Sequence, residues 1–177
     1  MELNSMILLL YAAVVSEPPK WREDVDQMVG MWSYGDGWNV EEWRHSDGES
    51  TCTVTTETLK VGRESYTARL SFGTRTEIVF ATNLNVETVG SFAIDFDDGA
   101  GLDMGDTEIT KVDKGTFVSN SMSNAMFKLV IDDMRLTKNA SITLNGGVYP
   151  LPMHDFATVY SDLKKCENSR LGIVLGD

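Results

Sequence analysis

Residues 91–97 read SFAIDFD. Phe92, Ile94 and Phe96 alternate with smaller or acidic residues, the clearest period-two signal in the chain, and this marks a strand with one buried face. The pattern repeats upstream. Residues 77–83 (EIVFATN) set Ile78 and Phe80 on one face, and 66–72 (YTARLSF) alternate Tyr66, Ala68, Leu70 and Phe72. Residues 73–75 turn the chain between them. Further back, 38–44 (WNVEEWR) place Trp38 and Val40 on one face, and 51–57 (TCTVTTE) place Cys52 and Val54 on one face in a β-branched run. Ser46-Asp47-Gly48 between them is turn chemistry, so the two segments read as a hairpin. Beyond the opening stretch, 97–106 form a Gly/Asp loop, and 107–112 with 115–119 read as a second hairpin.

The last third changes period. Residues 123–138 (SNAMFKLVIDDMRLTK) place Met126, Phe127, Val130, Ile131 and Met134 at helical spacing. Ser123 or Asn124 suits the start of that helix, and Arg135 and Lys138 suit its end. A strand over 126–131 is the alternative. Residues 141–144 and 148–151, joined by Asn145-Gly146-Gly147, form a hairpin whose second strand is confined to an edge by Pro150 and Pro152. A helix capped by Asp155 then runs to Cys166, with Phe156, Val159, Tyr160 and Leu163 as its buried stripe. Residues 171–175 (LGIVL) read as an apolar tail or final strand, 21–28 as a short amphipathic helix, and 17–37 as a lead-in punctuated by Pro and Gly. Strands first and helices last predict an α+β, β-rich fold of antiparallel, sandwich-like sheets with two helices toward the C-terminus.

The chain has 177 residues, the size of one domain, and its 42% hydrophobic and 24% charged residues are ordinary for a globular protein. A formal charge of −12 disfavours nucleic acid, which needs Lys and Arg to displace its counterions. No apolar run reaches the length of about 20 residues needed for a transmembrane span.

The run from Met6 to Val15 has the length of a signal-peptide core, with cleavage expected after Ser16. The division is therefore a signal peptide over 1–16 and a single β-rich domain over 17–177. Glu2 departs from the basic start of such a leader, and the other reading is an apolar first helix or strand of the fold. The two cysteines, Cys52 and Cys166, pair in only one way, and export would oxidise them to a disulfide. Retained in the cytosol, they would instead be two separate reduced core residues.

The order of elements, with TCTV around Cys52 and LPMHDFATVYSDLKKC ending at Cys166, resembles small exported proteins of alphaproteobacteria, including the invasion-associated locus B group. The similarity covers about residues 38–166 as a pattern, and only the C-terminal stretch in its residues. It implies a periplasmic or envelope location and transfers no active site.

Two constellations suggest binding. All four tryptophans lie between Trp21 and Trp43 with Tyr34 among them. Trp32, Tyr34, Trp38 and Trp43 could form an aromatic surface for a sugar or a protein, or fill the end of a core. DFDDGAGLDMGD supplies Asp95, Asp97, Asp98 and Asp103 as hard-cation ligands. It fails the EF-hand pattern, because Gly99 and Ala100 occupy its fifth and sixth positions and Asp106 stands where the bidentate Glu belongs. The two histidines, His45 and His154, lack metal-ligand spacing. Nucleophile elbow, redox C-x-x-C, phosphate loop and dinucleotide fingerprint are all missing, so no cofactor is indicated. The expected function is a non-enzymatic exported protein, periplasmic or secreted, that binds a protein or small ligand. The alternatives are a hydrolase with a dispersed acidic/His site and a cytosolic adaptor or inhibitor domain with reduced cysteines.

Overall fold

The computed structural model describes residues 27–171 except 36, 98 and 100. The expected leader over 1–16, most of the expected helix over 21–28 and the tail over 172–175 lie outside the described residues. The elements run β1 (Gln27–Gly35), β2 (Trp38–Arg44), β3 (Ser50–Thr56), β4 (Leu59–Val61), β5 (Glu64–Gly73), β6 (Glu77–Thr82) and β7 (Phe92–Phe96). Then come β8 (Gly101–Asp103), β9 (Glu108–Val112), β10 (Gly115–Ser121), α1 (Asn124–Leu136), β11 (Ala140–Leu144), β12 (Gly147–Leu151) and α2 (Phe156–Arg170).

Alternation decides the larger sheet, whose order is β1-β2-β3-β5-β6-β10-β9 with β4 on the side of β5. Its pairings are antiparallel, and the register lines up Val40, Val54, Leu70 and Ile78 across four neighbouring strands. All four are fully buried. Each such side chain contributes about 1.5–3 kcal/mol. Together they exceed the about 4–5 kcal/mol of a cross-link closing a loop this long, so core burial carries the fold. The chain leaves this sheet after β6, lays β7 and β8 in a second sheet ordered β12-β11-β7-β8, and returns with β10 beside β6 and β9 outside β10.

Three bodies cover the apolar face of the large sheet. Helix α2 lies over β1, β2 and β3, and α1 lies over β5 and against α2. Phe156 of α2 meets Trp38 edge-on at 5.4 Å, and Phe127 of α1 stacks on Phe72 at 5.1 Å. The second sheet inserts Tyr149 against Phe80 at 4.8 Å and Tyr66 at 5.2 Å. Its polar tips are satisfied at the same seam: the Tyr66 hydroxyl donates to Pro150 O at 2.6 Å, and Tyr149 donates to Glu64 at 2.9 Å. Burial pushes both phenols up to about 12, with the Glu64 carboxylate adding to the effect at Tyr149.

The helix over 123–138 forms, and the alternative strand does not. Ser123 accepts a bond from Met126 N at 3.2 Å, and Phe127, Val130, Ile131 and Met134 face the core. Met126, expected in that stripe, is exposed instead. Asp155 does not cap α2: it sits at φ 55 with no side-chain cap bond, and the turn is held by Thr158 N donating to Asp155 O. The helix also runs a turn past Cys166, to Arg170. The lead-in reading of 17–37 is corrected by β1, and residues 27 and 28 are strand where a helix was expected. Strand β1 hides its period because the register shifts twice, between Met28 and Gly30 and between Met31 and Ser33.

One glycine is required by contact as well as by conformation. Gly115 opens β10 at φ +153, and a Cβ there would stand 2.0 Å from Thr82 O. Gly115→Ala is expected to lower stability by more than about 1 kcal/mol in urea unfolding, and an unchanged midpoint would contradict the placement of β10 beside β6.

Candidate interaction surfaces

The aromatic cluster does not form one surface. Trp38 and Trp43 lie five positions apart on β2, so alternation sends them to opposite faces. Trp38 is fully buried and donates its indole N–H to Pro152 O, which makes it a core residue and corrects its assignment to a binding surface. Trp43 is half-buried and donates to Glu41 at 2.8 Å. Trp32 packs half-buried against the core, over Gly30, where an added Cβ would stand 2.5 Å from its ring. Tyr34 lies in β1 opposite Asn39, and its side chain is outside the described residues.

The aspartates expected as cation ligands are engaged locally. Asp95 accepts from the Thr143 hydroxyl across the β7–β11 pair, and it faces Gly101, where a Cβ would stand 2.6 Å from its carboxylate. Asp103 accepts from Gly105 N at 2.9 Å, closing its own turn. Asp98 lies outside the described residues. Asp97 closes the link between α1 and β11. Its carboxylate accepts from Asn139 Nδ2 at 2.7 Å and from the backbone N–H groups of Lys138 and Asn139, each at 2.9 Å. The Asn139 side chain first, and then these backbone donors, hold the Asp97 carboxyl below its ordinary value. Among the described residues, no group of three or more His, Cys, Asp and Glu is arranged to hold a metal ion.

The two histidines sit in separate parts of the fold. His45 is buried at the β2–β3 turn, with Nε2 2.6 Å from Thr51 Oγ1. His154 is exposed before α2, 3.5 Å from Asp155. Two buried carboxylates escaped sequence reading. Glu42 accepts from Ser169 at 3.3 Å beneath α2, and Asp162 pairs with Lys165 at 2.7 Å. Both keep a polar partner at the α2 interface, as buried charges must.

Cys52 on β3 and Cys166 on α2 stand at disulfide distance with Cα atoms 6.0 Å apart, inside the range a disulfide spans. The pair sits where the last helix lies over the inner face of the large sheet.

Large apolar side chains are exposed in two notable places. Met28, Val29 and Met31 lie on β1, at the end of the large sheet. Met126, Leu129 and Leu136 lie on α1, on the side away from its buried stripe, with Leu129 60% and Leu136 75% exposed. At the C-terminal end of α1 the surface dips into a hollow lined by Phe96, Asp97, Asp133, Leu136, Thr137 and Lys138. Sequence reading missed this second face, although Leu129 and Leu136 fall off the helix's predicted stripe and so signalled it.

Compared with known protein families, curated proteins and solved structures, the chain matches none. No described helix is long and apolar enough to cross a membrane.

Because the Asp97 carboxyl is held low, its contribution to stability is present above its ordinary value of 3.8 and is lost as pH falls through its lower folded value. Asp97→Asn should therefore be less stable than wild type at neutral pH, with the gap closing in acid. Urea midpoints measured across the acid range check this. A gap independent of pH would mean that the carboxylate charge has no part in closing the α1–β11 link.

Proposed function

We propose that the chain is an exported, periplasmic or secreted, interaction protein that binds its partner on a rigid β-rich scaffold without performing chemistry. The observation that carries this reading is the pairing of Cys52 with Cys166. Cysteines this far apart in sequence meet at disulfide geometry only because α2 folds back over β3. A pair so placed is oxidised outside the reducing cytosol, where such a bond persists and stiffens the domain. The apolar run 6–15 and the pattern-level resemblance to small exported alphaproteobacterial proteins support the same location. Exposed apolar side chains on β1 and on α1 support a binding role, because a solvated surface has no use for a Leu stripe opposite a helix's buried side.

The reading is tested by intact mass of protein purified from cells that naturally make it, alkylated with and without prior reduction. The expected result is a chain beginning at Glu17 whose two thiols react only after reduction. A chain retaining its first sixteen residues, with both thiols freely alkylated, would overturn export and return the cysteines to a reduced core.

A further inference from the structure

We infer that the outer face of α1 docks a cationic amphipathic helix of a partner protein. The inference rests on the interaction-protein reading above and assigns a site to it. Met126, Leu129, Asp133 and Leu136 are spaced three, four and three apart, so they lie along one side of the helix. That spacing is the seam by which one helix packs on another. The core-facing side is complete without them, because Phe127, Val130, Ile131 and Met134 already bury against the large sheet and its neighbours. The stripe runs into the hollow at the end of α1, where half-buried Phe96 supplies apolar floor beside Leu136.

Charge selects the occupant. Asp133 is exposed and lies between Leu129 and Leu136, so any body that covers the leucines also covers its carboxylate. A carboxylate removed from water without a partner is costly. The occupant must therefore bring a Lys or Arg to that position. Asp97 lines the same hollow, but its carboxylate is already engaged by Asn139 and the Lys138 backbone, so the demand is that of Asp133. The basic residues nearby do not relieve it: Lys138 lines the hollow but, among the described residues, forms no ion pair with Asp133. Arg135 lies over the Tyr160 ring at 4.8 Å, and Lys128 lines the groove between the two helices. A second copy of this chain is the wrong partner, because its own stripe offers Asp133 and no Lys or Arg, and each copy is strongly acidic.

The test uses the full domain and two fluorescent synthetic helical peptides of one pattern, Leu on the apolar stripe with either Lys or Glu elsewhere, titrated by anisotropy at physiological salt. The Leu/Lys peptide is expected to bind, and the Leu/Glu peptide is not. Leu129→Ser with Leu136→Ser should weaken the Leu/Lys peptide by about tenfold or more, and Asp133→Lys should weaken it severalfold. All three positions are exposed, so urea midpoints should stay near wild type and confirm folding.

Three results would overturn the site. One is no binding of the Leu/Lys peptide, and another is equal binding by the double serine variant, which would show only attraction to an acidic surface. The third is a wild-type dimer that the serine variant dissolves, which would make a second copy the occupant. None of these changes the thiol and mass result, so loss of this site and loss of the exported reading are separately visible.

Discussion

The inner face of the large sheet presents Trp38, Val40, Cys52, Val54, Tyr66, Leu70, Phe72, Ile78, Phe80 and Val118, and all of it has to be kept from water. No single element of this chain is wide enough to do so. The second sheet, α1 and α2 divide the surface between them, each contributing an aromatic ring to it: Tyr149, Phe127 and Phe156. The C-terminal third, joined by β7 and β8, is thus the cover of the domain. This explains why strands dominate the first two thirds of the chain and helices come last.

A cover made of separate pieces needs its seams closed. Along β12 the seam is polar at the tips and apolar in the body: Trp38 reaches Pro152, Tyr66 reaches Pro150, and Tyr149 reaches Glu64. Each aromatic side chain buries its ring and satisfies its one donor at the boundary, an arrangement that favours Tyr and Trp at such joints. At the other side the seam runs through the cysteines. Cys166 of the last helix stands at disulfide distance from Cys52 on β3, near the point where Glu42 and Ser169 meet beneath it. A bond closing a loop of this length would constrain the unfolded chain and hold a terminal element against fraying.

Much of this was legible in the residues, because the large apolar side chains of most long strands point to a single core, even where small residues on the other face are also buried. Period two survives wherever partners are in register, as in 66–72, 77–83 and 91–97, and helical spacing survived in α1 and α2. The misreadings have local causes. Strand β1 carries two register shifts, and β4 and β8 are three residues each, too short to show a period. Asp155 has the residue type of a cap but a left-handed backbone that turns its side chain away from that role. Grouping Trp38 with Trp43 as one surface ignored the parity that separates them. The order of strands is a further matter: that β10 returns to β6 after an excursion into another sheet depends on long-range burial that no local pattern encodes. The outer face of α1 was legible only in outline, as leucines left over once the buried stripe had been assigned.

The claim that the C-terminal third is one cover, clasped to the sheet beneath it, is tested most directly by native-state hydrogen exchange on the oxidised protein. If α2 is part of the cooperative unit, amides of its middle turns, around Val159 and Leu163, will exchange with the same free energy of opening as those of β3 and β5. Exchange in α2 at the low free energy of a frayed terminus, while β3 and β5 stay protected, would show that the helix rests on the sheet without closing it, and the account of the fold would fail.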